Sequence, residues 1–207
     1  MSFDIGFLYP VFAVFVVTGA SNGIGRATAD YFLQRGHKVV GLDVLPSDLD
    51  KYLNYTHCIG DVTKPETFPE DDFDIIINNA GVQQSGSDID INLRGVVNIT
   101  EFYLKRCCLT SVVMVGSVSG HTGAEFPEYV AAKGGLVAYT KNVANRLAPY
   151  GTCNSIDPGG VLTDLNKPVM EDAELWQQIM LRKKSELAEK SARTLKRARF
   201  ISALPST

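Results

Sequence analysis

The chain of 207 residues reads as an α/β protein, a three-layer, doubly wound parallel sheet with helices on both faces. Two observations predict this. Short β-branched apolar runs alternate with helical patterns at a spacing long enough for crossovers between parallel strands, and such crossovers are right-handed and need a dozen residues or more. The first run, Val14 to Thr18, breaks into Gly19, Gly23 and Gly25 and then into a helical pattern, which is a strand, a tight turn and a helix. No internal repeat of solenoid length competes with that reading.

Composition sets the bounds. The chain is 45% hydrophobic and 21% charged, ordinary for a globular protein, and its length suits one domain over 1–207. A formal net charge of -3 leaves no basic surplus, so no nucleic-acid partner is expected. Cys58, Cys107, Cys108 and Cys153 form no Cys-x-x-Cys pair and have no His spacing suited to zinc, so they read as reduced packing residues and no metal is expected. Phe3 to Val17 is largely apolar, yet Asp4 precedes its apolar part, Lys and Arg are absent from it, and it runs straight into the glycine turn. Neither a signal peptide nor a membrane span fits, and a cytoplasmic protein is expected. Pro10 marks a break before the first strand.

In chain order, the glycine turn comes first. Glycine lets the backbone turn sharply and lets a pyrophosphate approach with no Cβ in the way, while the helix behind it, placed over Arg26 to Arg35, offers free N–H groups and partial positive charge. The spacing is Gly-x-x-x-Gly-x-Gly. Gly36 closes the unit, and Lys38 to Asp43 is a second buried strand ending in an acid. A carboxylate there can accept hydrogen bonds from the adenosine ribose hydroxyls and repels a 2′-phosphate, which argues for NAD over NADP. Asn22, where Lys or Arg could have met that phosphate, points the same way.

Asp48 to Tyr55 reads as a short helix, Thr56 to Val62 as a third strand ending in Asp61, and Pro65 to Asp72 as an acidic connector. Phe73 to Ile77 is a fourth strand delivering Asn78-Asn79-Ala80-Gly81 to the sheet edge. Gln83 to Asp88 is short, polar and flexible in composition, and Ile89 to Lys105 is a long amphipathic segment. Ser111 to Val115 is the fifth strand, ending at Gly116-Ser117; Glu128 to Ala148 is helical; Cys153 to Asp157 is the sixth strand, broken by Pro158-Gly159-Gly160. Ligands bind beyond the carboxyl ends of such strands, so these loops converge on one crevice.

Tyr129 and Lys133 lie one helical turn apart on one face. An ammonium beside a phenol favours the phenolate and lowers a pKa otherwise about 10, so such a tyrosine can give or take a proton near neutral pH. Ser117 can donate to a carbonyl oxygen on which charge develops. Ser119 competes with Ser117, which directly follows the strand; His121 reads as a bystander. Trp176 and Met180 are either core packing or a substrate lid.

These motifs, taken in order, resemble the short-chain dehydrogenase/reductase family over about residues 13 to 165: Thr18 to Gly25, Asp61-Val62, Asn78-Asn79-Ala80-Gly81, Asn92, Ser117, Tyr129-Val130-Ala131-Ala132-Lys133 and Pro158-Gly159. The resemblance implies a Rossmann-like NAD(P)-binding domain and an oxidoreductase moving hydride between NAD(H) and a secondary alcohol or ketone, with 3-oxoacyl-carrier-protein or hydroxysteroid substrates in the family's range. It implies Tyr129 as catalytic acid or base, Lys133 on the nicotinamide ribose, Ser117 orienting the substrate oxygen and Asn92 holding a relay water. Cofactor contacts carry over to Gly19, Ser21, Asn22, Gly23, Ile24, Asp43, Asp61, Val62, Asn79, Gly81, Tyr129, Lys133, Pro158, Gly159, Val161 and Thr163, with Asn78 tying neighbouring strands. A homodimer or homotetramer through the helices carrying Asn92 and Tyr129 is implied as well.

The chain departs from the family pattern in three places. The segment between Gly81 and Asn92 is short, so a helix flanking the substrate crevice is missing or reduced. Ser117 to Tyr129 is one residue short of the common spacing. From about Leu181 a charged tail, 181–207, replaces the final strand, so the last strand is lacking or altered. A noncatalytic NAD-binding regulatory protein with an incomplete substrate pocket is therefore the competing reading.

Overall fold

The computed structural model describes residues 12–106, 109–161, 163, 171–174 and 177. The chain divides into two compact units, Met1–Leu165 and Asn166–Thr207. The expectations for Pro10, the Cys107-Cys108 pair, Trp176, Met180, the 181–207 tail and a closing strand within it fall outside the described residues.

The first unit carries six strands, all paired in parallel, in the order β3-β2-β1-β4-β5-β6. They are β1 (Val14–Thr18), β2 (Lys38–Asp43), β3 (Tyr55–Ile59), β4 (Ile75–Asn78), β5 (Ser111–Val115) and β6 (Thr152–Ile156). Between them run α1 (Gly23–Leu33), a π-helical turn Asp90–Gly95 that continues as α2 (Val96–Leu104), the one-turn α3 (Ser119–Thr122) and α4 (Pro127–Leu147). Among the described residues β6 is an edge of the sheet.

Both faces are covered, and the strand period of two decides which residue goes where. Val16, Val40, Leu42, Ile76, Val112 and Met114 pack with Ile99 and Tyr103 of α2 and Leu136 and Val143 of α4. Their neighbours Phe15, Val17, Val39 and Ile77 face the other way, onto Ala29 and Leu33 of α1. Full burial of each such side chain is worth about 1.5–3 kcal/mol, so register is strongly specified in a sheet with two buried faces.

Three expectations change. Asp48 to Tyr55 is not a helix but successive turns, with Tyr52 N–H donating to Leu49 O (3.0 Å) and Tyr55 N–H to Tyr52 O (3.1 Å). Leu49 is buried and anchors the segment while Leu53 stands fully in solvent, a pattern of single contacts that gives a helix no continuous apolar face. β3 stops at Ile59: Gly60 N–H still donates to Asp43 O (2.9 Å), but Asp61 N–H turns to Thr67 Oγ1 (2.9 Å) instead of to a strand. The 83–88 segment has no helix before Asp88, in line with its shortness, but it is tied down: buried Asp88 accepts from Gln84 N–H (2.9 Å), Ser85 N–H (2.8 Å) and Ser85 Oγ (3.1 Å).

Candidate active site

In the strand order, β1 and β4 are neighbours whose crossovers run in opposite directions, which opens a crevice beyond their carboxyl ends. Three glycines line it for steric reasons. Gly19 and Gly23 have φ of 66° and 54°, and a Cβ on Gly25 would lie 2.1 Å from the Gly19 carbonyl oxygen and 2.3 Å from Asn79 Nδ2. Helix α1 then starts at Gly23 behind Asn22, whose side chain caps none of the first-turn N–H groups. Bare backbone and uncapped N–H groups at a helix start fit a pyrophosphate, so the residues present suit a dinucleotide. Thr163 belongs here too: its methyl is 3.4 Å from where a Gly23 Cβ would stand.

At the end of β2, Asp43 Oδ2 accepts Ser21 N–H (2.9 Å) and Oδ1 accepts Leu45 N–H (2.9 Å), while Ser21 Oγ donates to Leu45 O (2.9 Å). The carboxylate is thus aimed by two backbone donors and has lone pairs left for a ribose diol. The guanidinium of Arg26, in the first turn of α1, is engaged by Asp48 at 2.7 and 2.6 Å.

Several predicted cofactor contacts are spent on building the cradle. Asn79 Nδ2 donates to Thr18 O (3.0 Å) and Gly19 O (3.1 Å), so its amide holds the glycine turn in place. Thr18 Oγ1 accepts both Asn79 N–H and Ala80 N–H at 2.9 Å and clamps β1 to the end of β4. Asp61 accepts from Thr63 N–H (2.9 Å) and Oγ1 (2.8 Å), and chiefly the Thr63 N–H holds its carboxyl below the usual range. The Val62 side chain is buried against Gly95 at the head of α2, leaving only its backbone for a ligand. Asn78 ties strands as expected, its Nδ2 donating to Thr100 Oγ1 at 3.0 Å and lying 3.3 Å from Met114 Sδ of β5.

The four predicted catalytic residues come from three stretches of chain. Ser117 follows β5 and is buried, its Oγ donating to Ser119 Oγ and accepting Ser119 N–H, both at 3.1 Å. Tyr129 and Lys133 share one face of α4, with Lys133 Nζ 5.6 Å from the Tyr129 ring centre. Gly120 permits this packing, since a Cβ there would be 2.7 Å from the Lys133 backbone.

The sign of the tyrosine shift differs from the expectation. Burial pushes the Tyr129 phenol above its ordinary value; a hydrogen bond with Ser117 pulls it down, and the Glu125 and Asp88 charges push it up. The ammonium that was to lower it is drawn away, because Lys133 Nζ donates to Val115 O at 2.8 Å, and burial lowers its own pKa to about 8, with Asp157 opposing. In the chain alone, Tyr129 is therefore a protonated acid.

Asn92 has a structural role. It is fully buried in the π-helical turn, and its amide spends both ends on Val82: Nδ2 donates to Val82 O (2.8 Å) and Oδ1 accepts Val82 N–H (3.0 Å). The side chain is thus a brace for the 81–83 backbone, and a Cβ on Gly81 would strike it at 2.6 Å.

Sequence reasoning missed Thr18, Asp88, Asp157 and Glu125. Only Thr18, at the end of a strand beside the glycine turn, carried a local signal. Asp157 accepts from Ser155 Oγ (2.6 Å) and pairs with His121 Nε2 (3.0 Å), so His121 is attached to the end of β6 and takes no part in the Ser117–Tyr129 group. Among the described residues there is no cluster of His, Cys, Asp or Glu able to hold a metal, and no helix long and apolar enough to cross a membrane.

Known proteins align with this arrangement. A profile described as short chain dehydrogenase matches residues 13–174. The 3-oxoacyl-acyl-carrier-protein reductase FabG of Vibrio cholerae is 32% identical over 189 residues, 77% of this chain and 78% of that protein. The short-chain dehydrogenase/reductase cdmF of Talaromyces verruculosus is 32% identical over 75% of this chain and 72% of its own. Among solved structures, a 4-hydroxyisoleucine dehydrogenase complexed with NADH superposes with a TM-score of 0.72 at 26% identity, covering 80% of this chain and 81% of that one. A protein assigned as a 2-deoxy-D-gluconate 3-dehydrogenase from Agrobacterium tumefaciens, with bound NADP, gives 0.74 at 28%, covering 82% and 80%. With a six-stranded parallel sheet, a glycine cradle at its switch point and a Ser-Tyr-Lys group beside it, the chain belongs to the short-chain dehydrogenase family and is a nicotinamide-dependent oxidoreductase of CH–OH and keto groups.

Proposed function

We propose that the chain transfers hydride between NAD(H) and a secondary alcohol or ketone, with Tyr129 as the proton donor or acceptor, Ser117 on the substrate oxygen and Lys133 as the group that holds the nicotinamide ribose and sets the tyrosine. The observation that carries this reading is the convergence of a buried serine hydroxyl, a half-buried phenol and a buried amine at the carboxyl end of β5, next to the glycine cradle.

Bound NAD(H) supplies the hydride acceptor or donor. In reduction, the Ser117 hydroxyl donates to the substrate carbonyl and stabilises the charge that develops on its oxygen, and the Tyr129 phenol delivers the proton. In oxidation the proton travels back to Tyr129. Lys133, held by Val115 O with a pKa of about 8, is near the point of exchanging its own proton at neutral pH, which suits it to pass charge to the phenol once a ribose hydroxyl or water takes the place of that carbonyl. Asn92 supports the site as a brace for the 81–83 backbone.

Asp43 supports NAD over NADP: a carboxylate at the end of β2 would repel a 2′-phosphate, and Arg26 is already paired. A homodimer or homotetramer through α2 and α4 and a cytoplasmic location belong to the same reading, as does a single nucleotide-binding unit carrying the chemistry. The substrates of the relatives, 3-oxoacyl thioesters among them, mark the class of carbonyl compounds to try first.

The test is turnover. Purified protein should oxidise NADH against a panel of ketones and lose at least about a thousandfold in kcat as Tyr129→Phe, the scale on which a proton donor contributes. Binding of NADH with no turnover on a broad panel refutes the catalytic reading and leaves the regulatory one.

A further inference from the structure

Glu125 is not a position the family resemblance singles out, yet it closes one wall of the reactive group. It precedes α4 in a left-handed conformation, φ 83°, two residues after Gly123 at φ 70°. Non-glycine residues adopt that conformation at a cost, so the surrounding contacts must hold it there. The contacts are specific. Glu125 Oε2 accepts Ser119 Oγ (2.9 Å), whose hydroxyl in turn accepts from Ser117 Oγ (3.1 Å), and it accepts Gln83 Nε2 (3.2 Å) from the loop after β4. The carboxylate therefore spans the gap between the two loops that flank the substrate, one hydrogen bond removed from the serine that meets the reacting oxygen, and its charge is felt at Tyr129.

Resting on the oxidoreductase reading above, we infer that Glu125 is a specificity-determining residue that accepts a hydrogen bond from a hydroxyl on the carbon next to the reacting one, so the preferred substrates are neutral α-hydroxyketones and vicinal diols. The side chain is exposed, and Oε1 carries no hydrogen bond to a described residue, which leaves lone pairs for a donor. A hydroxyl beside the carbonyl satisfies them; a plain ketone leaves the carboxylate to water. A carboxylate at the same place meets a fixed like charge, reinforced by buried Asp88 behind Gln84 and Ser85, and is rejected. The Gln83 bond is the exchangeable one, being the longer and having its donor in solvent.

The experiment compares butan-2-one, 3-hydroxybutan-2-one and 3-oxobutanoate as substrates with NADH, in the native chain, Glu125→Gln and Gln83→Ala. Binding of the same three compounds is read by calorimetry on Tyr129→Phe in the presence of NADH. The native chain should favour the hydroxyketone over the plain ketone by about tenfold in kcat/KM, the ratio that one charge-assisted hydrogen bond supports, with the keto acid last. Glu125→Gln should bring the hydroxyketone and the plain ketone to about equal kcat/KM, with the lost advantage appearing in KM, and raise the keto acid relative to both. Gln83→Ala should leave the order intact. If Glu125→Gln or Gln83→Ala depresses all three substrates alike, Glu125 only ties the loops together and the proposal fails. If no compound turns over but binding follows the predicted order, the oxidoreductase reading falls while the recognition stands; a flat or reversed binding order overturns the recognition alone.

Discussion

Replacing Lys133 by Met separates what the lysine does for chemistry from what it costs the fold. The amine is almost fully buried, and burial lowers its pKa from 10.5 to about 8. A charged lysine in that position therefore carries a cost on the order of 3 kcal/mol at neutral pH, where the folded and unfolded chains both hold the proton. Between pH 8 and 10.5 the unfolded chain keeps the proton that the native chain has released, so native stability rises with pH across that window, and above it the cost is gone. Met has similar length and no charge. The variant forfeits the hydrogen bond to Val115 O, about 1–3 kcal/mol, which offsets most of the gain at pH 7.

The difference in stability between variant and native chain is thus small at pH 7, but it should move against the variant by about 2–3 kcal/mol on going to pH 10. Urea unfolding at pH 7, 8, 9 and 10, read as midpoint and slope, measures it, and titrations common to both chains cancel. Parallel curves at all four values would refute the burial argument. Turnover of the same variant should be below detection throughout, although it folds.

Other substitutions probe the cradle. Gly25→Ala places a methyl against the Gly19 carbonyl and the Asn79 amide, and should weaken NADH binding at least about tenfold, by fluorescence titration, with a loss of about 1–3 kcal/mol in stability. Asp43→Ala should narrow the preference for NAD over NADP by about ten- to a hundredfold in kcat/KM and also raise the KM for NAD, because Ser21 N–H and Leu45 N–H lose their acceptor. Asp43→Asn, which keeps an acceptor oxygen, should shift the preference with a smaller rise in that KM; an unchanged ratio in both would place the ribose elsewhere. Asn92→Ala should destabilise by about 2–3 kcal/mol through the released Val82 groups, read by thermal unfolding, whereas a water-holding role alone would leave stability unchanged.

The alternation of buried strands with helices, the order of motifs and the clustering of Ser117, Tyr129 and Lys133 at one end of the sheet were legible in the sequence, because each rests on local pattern. A β-branched run, a glycine that must turn and two residues one helical turn apart carry their geometry with them. Chain segments whose structure depends on single contacts were not legible: Leu49 inside and Leu53 outside made turns where the composition allowed a helix, and buried Asp88 made a pinned loop out of a polar, flexible-looking one.

Side-chain roles divided in the same way. The sequence by itself determined that a serine, a phenol, an amine and a glycine cradle share the carboxyl end of a parallel sheet. Only the tertiary structure decided how these groups are biased. Lys133 is aimed at Val115 O, Tyr129 is held protonated, Asn79 and Asn92 are consumed as braces, and Glu125 is carried to the substrate side by a left-handed turn. The physical reason is that burial and hydrogen-bond partners set protonation and orientation, and those partners come from residues up to 62 positions away, as between Thr18 and Ala80.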